Sequence, residues 1–193
     1  MKLNNKRTIL VGLAFLSICA FWQMYDSIVP LILTKTFHMN ETFSGAIMAA
    51  DNILALFLLP FFGSVSDKSH SKLGKRMPFI LFGTGCAIIL MNILPLLDNS
   101  YAAQPSGFKT ASFVIVLGLL LVAMGTYRAP AVALMPDVTP KPLRSRANAI
   151  INLMGAVGGI LYLGVAAVLY PNSKTAGLAH VNYQPLFIVV SVI

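Results

Sequence analysis

The sequence predicts an all-α membrane protein, and three features of the 193-residue chain support this prediction. Hydrophobic residues make up 57% of the chain and charged residues only 10%, whereas a soluble domain carries about a quarter charged residues. Apolar runs long enough to cross the hydrocarbon core, roughly 20 residues each, recur along the chain. The basic residues are concentrated in the connections between these runs. We expect helical spans because each backbone group then bonds within its own segment.

Five apolar segments and the beginning of a sixth define the predicted spans. The first follows Lys2, Lys6 and Arg7 and is too long for the apolar region of a signal peptide, so we interpret it as a retained span. A polar loop over 98–110 separates the third span from the fourth. The sixth segment is too short to cross a bilayer, so we expect a fragment of a longer protein. The predicted spans cover about 8–33, 43–62, 79–97, 111–135, 147–170 and 185–193.

Basic residues alternate in number from one connection to the next. Three precede the first span, four lie between the second and third, and three lie between the fourth and fifth. The other connections carry one lysine each: Lys35, Lys109 and Lys174. The positive-inside rule therefore predicts a cytoplasmic N-terminus in a multi-pass membrane protein, which we expect to reside in the plasma membrane. The net charge of +8 follows this topology, and we expect no nucleic-acid partner.

Two connections carry motifs. Residues 63–78 have the pattern G-x-x-S-D-K-x-x-x-x-x-G-K-R-x-P, which resembles the signature loop between spans two and three of major facilitator superfamily transporters. Asp137-x-x-x-x-x-x-Arg144 resembles the acidic-x6-Arg motif of the sugar-porter branch. Ser66-Asp67 with Gly74-Lys75-Arg76, and Arg144-Ser-Arg146-Ala-Asn148, are similar to the glycoside–pentoside–hexuronide:cation symporters and the plant-type sucrose transporters.

The resemblance implies an N-terminal six-helix bundle with two inverted three-helix repeats. The substrate site would lie near the midplane, between this bundle and a C-terminal six-helix half of the same transporter. It also implies a cytoplasmic gate, in which the carboxylate of Asp67 caps a helix of the other half. In this gate Lys75 and Arg76 join Asp137 and Arg144 in a group of charges that separates when the cytoplasmic side opens. The alternative is that these charges only set topology. The expected gate residues are Gly63, Asp67, Gly74, Lys75, Arg76, Asp137 and Arg144.

Three ionisable residues lie within predicted spans: Asp26, Asp51 and Arg128. Such groups cost at least about 2.5 kcal/mol near the bilayer centre by insertion scales, and they default to a functional role. We predict that one aspartate exchanges a coupling proton and that Arg128 tunes its pKa or binds substrate hydroxyls. The alternative is a set of buried ion pairs that fix helix packing.

Aromatic residues accompany these charges. Trp22, Gln23, Tyr25 and Asp26 lie within about one turn of the first span. They combine a flat apolar platform with hydrogen-bonding groups, which sugar recognition needs. Tyr127, beside Arg128, is a further candidate. The alternative is an aromatic belt at the membrane interface.

Polar and small residues recur along one face of the fifth span. Asn148, Asn152, Gly155 and Gly159 are spaced at helical intervals. Glycines let helices approach closely, and amides bond across an interface. We predict that this face packs on another helix, with lining of a cavity as the alternative.

No enzyme chemistry is predicted. The chain has no phosphate-binding loop and no metal-ligand spacing, and we expect no cofactor beyond a coupling proton or sodium ion. The resemblance implies cation-coupled uptake of a glycoside or disaccharide by alternating access, with membrane lipid and the sugar as partners. Two alternatives stay open: an exporter of small amphiphilic molecules on the same scaffold, and a truncated fragment without transport activity.

Overall fold

The computed structural model describes residues 5–71, 74–175, 177–178 and 180–193. Lys2 and Lys72, two of the predicted cytoplasmic basic residues, lie outside the described residues. Every regular element in the described ranges is a helix, so the predicted all-α fold is confirmed. The helices are α1 (Asn5–Leu31, continued by a π-helical segment Ile32–Thr36), α2 (Glu41–Asp67), α3 (Met77–Ala103), α4 (Gly107–Val138), α5 (Arg144–Leu169, preceded by the 3-10 turn Lys141–Leu143), α6 (Asn172–Thr175) and α7 (Gln184–Val192).

Five of the described helices, α1 to α5, are long and apolar enough to cross a membrane. Each begins before its predicted span, and α2, α3 and α4 also end after theirs. The polar loop predicted over 98–110 is wrong. Helix α3 continues to Ala103, and the connection shrinks to 104–106. The Lys109 ammonium donates to the carbonyls of Ser100 (2.8 Å) and Gln104 (2.9 Å). These bonds satisfy carbonyls at the helix end, which allows a polar sequence to remain helical.

Local capping chemistry sets where two of the helices begin. Helix α2 follows Asn40, whose side-chain oxygen accepts a hydrogen bond from the backbone N–H of Thr42 at 3.2 Å. At α7 the Asn182 side chain accepts from the N–H of Gln184 at 2.9 Å, and Pro185 lies in the first turn. Helix α7 therefore begins within one residue of the predicted sixth span.

The helices pair in a pattern with internal symmetry. Helix α1 packs mainly on α5, α2 on α4, and α3 on both α4 and α7. Exchanging α1, α2 and α3 with α4, α5 and α7 converts the α1–α5 contact into the α2–α4 contact. The same exchange returns the α3–α7 contact to itself. This pattern agrees with two three-helix repeats.

Close approach of α1 and α5 depends on glycine. A Cβ atom added at Gly158 would stand 2.1 Å from the Leu16 carbonyl oxygen, and one at Gly155 would stand 2.9 Å from Cys19 Sγ. The face predicted from the sequence is therefore only partly right. Gly155 belongs to the contact, but Asn148 and Asn152 are exposed. The contact runs through a neighbouring stripe of α5, because the smallest side chains, not the amides, decide how near the backbones come.

Candidate functional site

A charge cluster joins the ends of α2 and α4 to the start of α3. We define it as Ser66, Asp67, Arg76 and Asp137. Arg76 is buried, with 9% of the residue exposed. Its Nη2 lies 2.8 Å from Asp67 Oδ1, its Nε donates to Asp137 Oδ2, and its Nη1 donates to the buried Ser66 hydroxyl at 3.2 Å. One arginine thus holds three helix ends together.

The protonation of Arg76 is set by opposing effects. Burial lowers its pKa, but hydrogen bonding and the charge of Asp137, followed by those of Asp67, outweigh burial and raise the pKa above its ordinary value. A group whose pKa is raised by folding contributes stability below its unfolded pKa, and loses that contribution only as the pH rises through its folded pKa. The contribution of Arg76 is therefore fully present at physiological pH.

The remaining predicted gate residues lie around this cluster without pairing into it. Arg144 donates to the backbone carbonyls of Pro136 (2.9 Å) and Thr139 (3.3 Å), where it caps the end of α4. Lys75 is exposed to solvent. These two cations therefore stay apart from the carboxylates that the sequence predicts as their partners.

The two gate glycines have different surroundings. Gly74 has φ of +97°, a conformation that L side chains rarely adopt, so this turn of the loop requires glycine. Gly63 lies inside α2 with open space beside it, not at the start of the loop as predicted.

Within the membrane-spanning segments, a second site forms around Arg128. We define the Arg128 site as Trp22, Tyr25, Asp51 and Arg128. The guanidinium carbon of Arg128 lies 5.1 Å from the centroid of the Trp22 ring, in cation–π contact. The Trp22 ring in turn meets Tyr25 edge-on, with centroids 5.3 Å apart. Helix α1 supplies the aromatic platform and α4 the cation.

Asp51 of α2 completes this site from the third side. It is 8% exposed, and its Oδ1 accepts a hydrogen bond from the side-chain amide of Asn52 at 2.7 Å. Asp51 and Arg128 line the same small cavity with Trp22, yet the described residues show no ion pair between them. The cavity, about 10 Å³, has room for roughly one water molecule. The site thus places two opposite charges beside one cavity without a direct ion pair between them.

Two polar atoms of the Arg128 site also lack partners among the described residues. The indole Nε1 of Trp22 and the hydroxyl of Tyr25 are buried without a hydrogen bond. Buried donors are rarely left unbonded, because the loss of hydration is not recovered. Both donors are therefore left unsatisfied within the described fold.

Three other candidates from the sequence lie outside the Arg128 site. Gln23 and Asp26 are exposed on the outer surface of α1. Tyr127 lines a different cavity of about 190 Å³ between α1, α3, α4 and α7. Neighbouring residues on a helix point about 100° apart, so Tyr127 and Arg128 face different cavities although they are adjacent in sequence.

Sequence reasoning missed a buried carboxylate near the end of α3. Asp98 is completely inaccessible to solvent. Among the described residues neither of its oxygens accepts a well-formed hydrogen bond, although the Thr36 hydroxyl lies within reach. His180 lies beside it. In the sequence, Asp98 directly follows the apolar run of the predicted third span. An aspartate at that position suggests the start of a loop at the membrane surface, so its burial was not predicted.

Comparisons with known proteins decide the family. A profile described as Major Facilitator Superfamily matches residues 11–193. The chain belongs to the Major Facilitator Superfamily. The family predicted from the two loop motifs is therefore confirmed. No solved structure gives a significant match.

Curated relatives narrow the branch of the superfamily. The chain is 35% identical over 158 residues to sucrose transport protein SUC3 of Arabidopsis thaliana. This match covers 76% of the chain and 26% of that protein. It is 36% identical over 154 residues to sucrose transport protein SUT3 of Oryza sativa subsp. indica, covering 72% and 30%. The chain thus resembles the sucrose-transporter branch and spans between a quarter and a third of the length of these relatives.

Proposed function

We propose that this chain is the N-terminal half of a secondary transporter that takes up a glycoside or disaccharide together with a proton or sodium ion by alternating access. The observation that carries the proposal is the Arg128 site. Its guanidinium lies over the Trp22 ring, and the carboxylate of Asp51 lines the same cavity without an ion pair to it. Membership of a transporter superfamily and relatives named as sucrose transport proteins support a transporter, not an enzyme.

The chemistry of the site suits a sugar. The apolar face of a sugar ring packs on an indole, and its hydroxyls accept from a guanidinium and donate to a carboxylate. The unbonded Trp22 Nε1 and Tyr25 hydroxyl add two donors. A sugar that satisfies these groups recovers the free energy that their burial costs.

Asp51 is the proposed coupling group. When its carboxylate is ionised, it attracts Arg128 away from the Trp22 ring. When it is neutralised by a proton or a sodium ion, Arg128 is released to bind the sugar. Cation binding and sugar binding then favour the same conformation, which links the two free energies.

The second wall of the sugar site comes, in this proposal, from a C-terminal six-helix half. The cavity of about 10 Å³ at Asp51 is far too small for a disaccharide. Gln23 and Asp26, exposed on α1, would face that second half. The protein would lie in the plasma membrane with a cytoplasmic N-terminus, and the charge cluster would act as its cytoplasmic gate.

The decisive experiment uses the full-length transporter in proteoliposomes. Uptake of radiolabelled sucrose, maltose and a small amphiphilic cation is measured with an imposed pH gradient and, separately, with a sodium gradient. We expect uphill accumulation of at least one disaccharide with one of the two gradients. Accumulation of the amphiphile against its gradient in the export direction, or no accumulation of any solute, would contradict the proposal.

A matched pair of variants tests the coupling group. Asp51→Asn should abolish gradient-driven accumulation but retain exchange of internal for external sugar, because exchange needs no net movement of the cation. Glu41→Gln removes an exposed carboxylate at the start of the same helix and should leave accumulation unchanged. If accumulation survives in Asp51→Asn, another group carries the cation.

A further inference from the structure

Asp98 is a buried carboxylate at the opposite end of α3 from the charge cluster. It lies near the end of α3 and is fully buried, and within the described part of the chain neither carboxylate oxygen accepts a well-formed hydrogen bond. An ionised carboxylate in such a place is costly unless an opposite charge or a donor accompanies it. None of the residues of the Arg128 site or of the charge cluster contacts Asp98 among the pairs described above, so neither site accounts for its burial.

His180 is the group best placed to satisfy Asp98. It lies in the connection before α7, by which we mean the described residues 177–178 and 180–183. Its Nε2 is 3.9 Å from Asp98 Oδ2 and 2.8 Å from Asn99 Oδ1. Its Nδ1 is 3.4 Å from the hydroxyl oxygen of Thr36. That hydroxyl also lies beside the Asp98 carboxylate. Three segments of the chain therefore meet: the π-helical end of α1, the end of α3 and the connection before α7.

We propose that Asp98, Thr36 and His180 form a proton-binding site that fastens the connection before α7 onto α1 and α3. The site binds one proton at the His180 imidazole. Its closed form holds an ion pair between His180 and Asp98, and its open form leaves the connection attached only by neutral contacts.

Hydrogen-bond directions explain how a single proton acts on all three residues. Because Nε2 donates to Asn99 Oδ1, the neutral imidazole has a bare Nδ1, which accepts from the Thr36 hydroxyl. A proton added at Nδ1 reverses this bond, so that Nδ1–H donates to Thr36 Oγ1. The Thr36 hydroxyl then becomes free to donate to Asp98. One proton thus supplies Asp98 with both an opposite charge and a donor.

Access for the proton comes from a cavity of about 700 Å³ that Thr36 and His180 both line. The side chain of His180 is 25% exposed, whereas that of Asp98 is fully buried. The imidazole is therefore the group that water reaches first. The other titratable groups on the elements packed around this region are Lys35, His38, Lys109, Tyr170, Lys174 and Tyr183.

The test measures how readily the connection opens as the pH changes. The full-length transporter, purified in detergent and lacking other reactive cysteines, carries Leu178→Cys, at an exposed position lining the same cavity. Its rate of modification by a maleimide is measured at pH 5.5 and pH 8. Each rate is divided by the rate for the same cysteine in Asp98→Asn, which cancels the ionisation of the thiol itself.

We expect this ratio to fall about threefold or more from pH 8 to pH 5.5, because the proposed ion pair between protonated His180 and Asp98 holds the connection closed at the lower pH. His180→Gln should remove the pH dependence, and it replaces Asp98→Asn as the reference if that variant fails to fold. His38→Gln, which alters the other histidine of the cavity, should retain the pH dependence.

A ratio independent of pH, or a pH effect that persists in His180→Gln or vanishes in His38→Gln, would overturn the proposal. Because the labelling needs no sugar, its result does not depend on the proposed transport function.

Discussion

The charge cluster and the Arg128 site use the same chemical groups in opposite ways. In the charge cluster, Arg76 is almost fully buried and bonded to two carboxylates and a hydroxyl. In the Arg128 site, the cation rests on an aromatic ring and the nearby carboxylate of Asp51 stays uncombined. Satisfied charges hold helix ends in one arrangement, whereas unsatisfied charges are free to bind a ligand or exchange a proton.

The difference also separates stability from activity. Groups whose bonding capacity is used within the fold contribute to the free energy of unfolding. Groups kept unbonded lower that free energy, and the loss is recovered only when a ligand binds. Substitutions in the Arg128 site should therefore change the proposed sugar uptake with little effect on Tm. Substitutions in the charge cluster should change stability and, where they weaken the proposed gate, also the rate of uptake.

The largest effect is expected from Arg128→Gln. Loss of a charged hydrogen-bonding partner of the sugar, worth about 1.5–3 kcal/mol, should lower kcat/KM for uptake about 10- to 100-fold. The Tm should stay within about 2 °C of the parent, because Arg128 makes no ion pair in the described fold. Arg128→Lys is the matched control: it keeps the charge but loses the planar face, and uptake should be only partly restored. A large fall in Tm with unchanged kcat/KM would reverse the assignment of this site.

The second prediction concerns Arg76→Gln, which should lower stability. Both carboxylate partners are at least half exposed, so each pair is screened, and we expect a total loss of about 1–2 kcal/mol. Thermal unfolding in detergent should show a Tm lower by a few degrees. The difference should be the same at pH 6.5 and pH 9, because the raised pKa keeps Arg76 charged throughout. Arg146→Gln, at an exposed position, is the control; an equal loss there would show that the effect is one of net charge.

A smaller effect is expected from Asp67→Asn. One of the two ion pairs of Arg76 is lost, while the bonds to Asp137 and Ser66 remain. Uptake should slow about two- to fivefold, corresponding to a pair worth up to about 1 kcal/mol, with KM and membrane insertion unchanged. Unaltered rates would show that the charge cluster has no gating role and that its charges serve only topology.

The smallest effect is expected from Trp22→Phe. The ring face remains under Arg128, but the indole Nε1 and part of the cation–π attraction, about 0.5–1 kcal/mol, are lost. The KM for the sugar should rise about threefold with kcat unchanged. Phe21→Leu alters the neighbouring ring, which contacts Trp22 but not the Arg128 site cavity, and should leave KM unaltered. A KM change of equal size in both variants would point to a general loosening of α1.

Local patterns were enough to predict the class and family of this chain. Composition and the length of apolar runs predict a helical membrane protein, because the bilayer requires internally bonded backbone of a certain length. The loop motifs predict the superfamily, because each motif is a continuous stretch of sequence that can be identified without knowing how the helices pack. The π-helical extension of α1 and the continuation of α3 to Ala103 were not predicted, since side-chain bonds such as those of Lys109 support helix where composition favours a loop.

The sites themselves depended on tertiary structure. The sequence nominates Asp51, Arg128 and Trp22, but only packing of α1, α2 and α4 brings them to one cavity and turns Tyr127 away from it. Likewise the sequence groups Lys75, Arg76, Asp137 and Arg144 in one cluster. The fold joins Arg76 to Asp137 but directs Arg144 to the carbonyls of Pro136 and Thr139. Asp98 and His180 are 82 positions apart in the chain, and no local pattern connects them. Spans and motifs follow from short-range chemistry, which the sequence contains, while partners of buried charges follow from which helices meet, which only the tertiary structure decides.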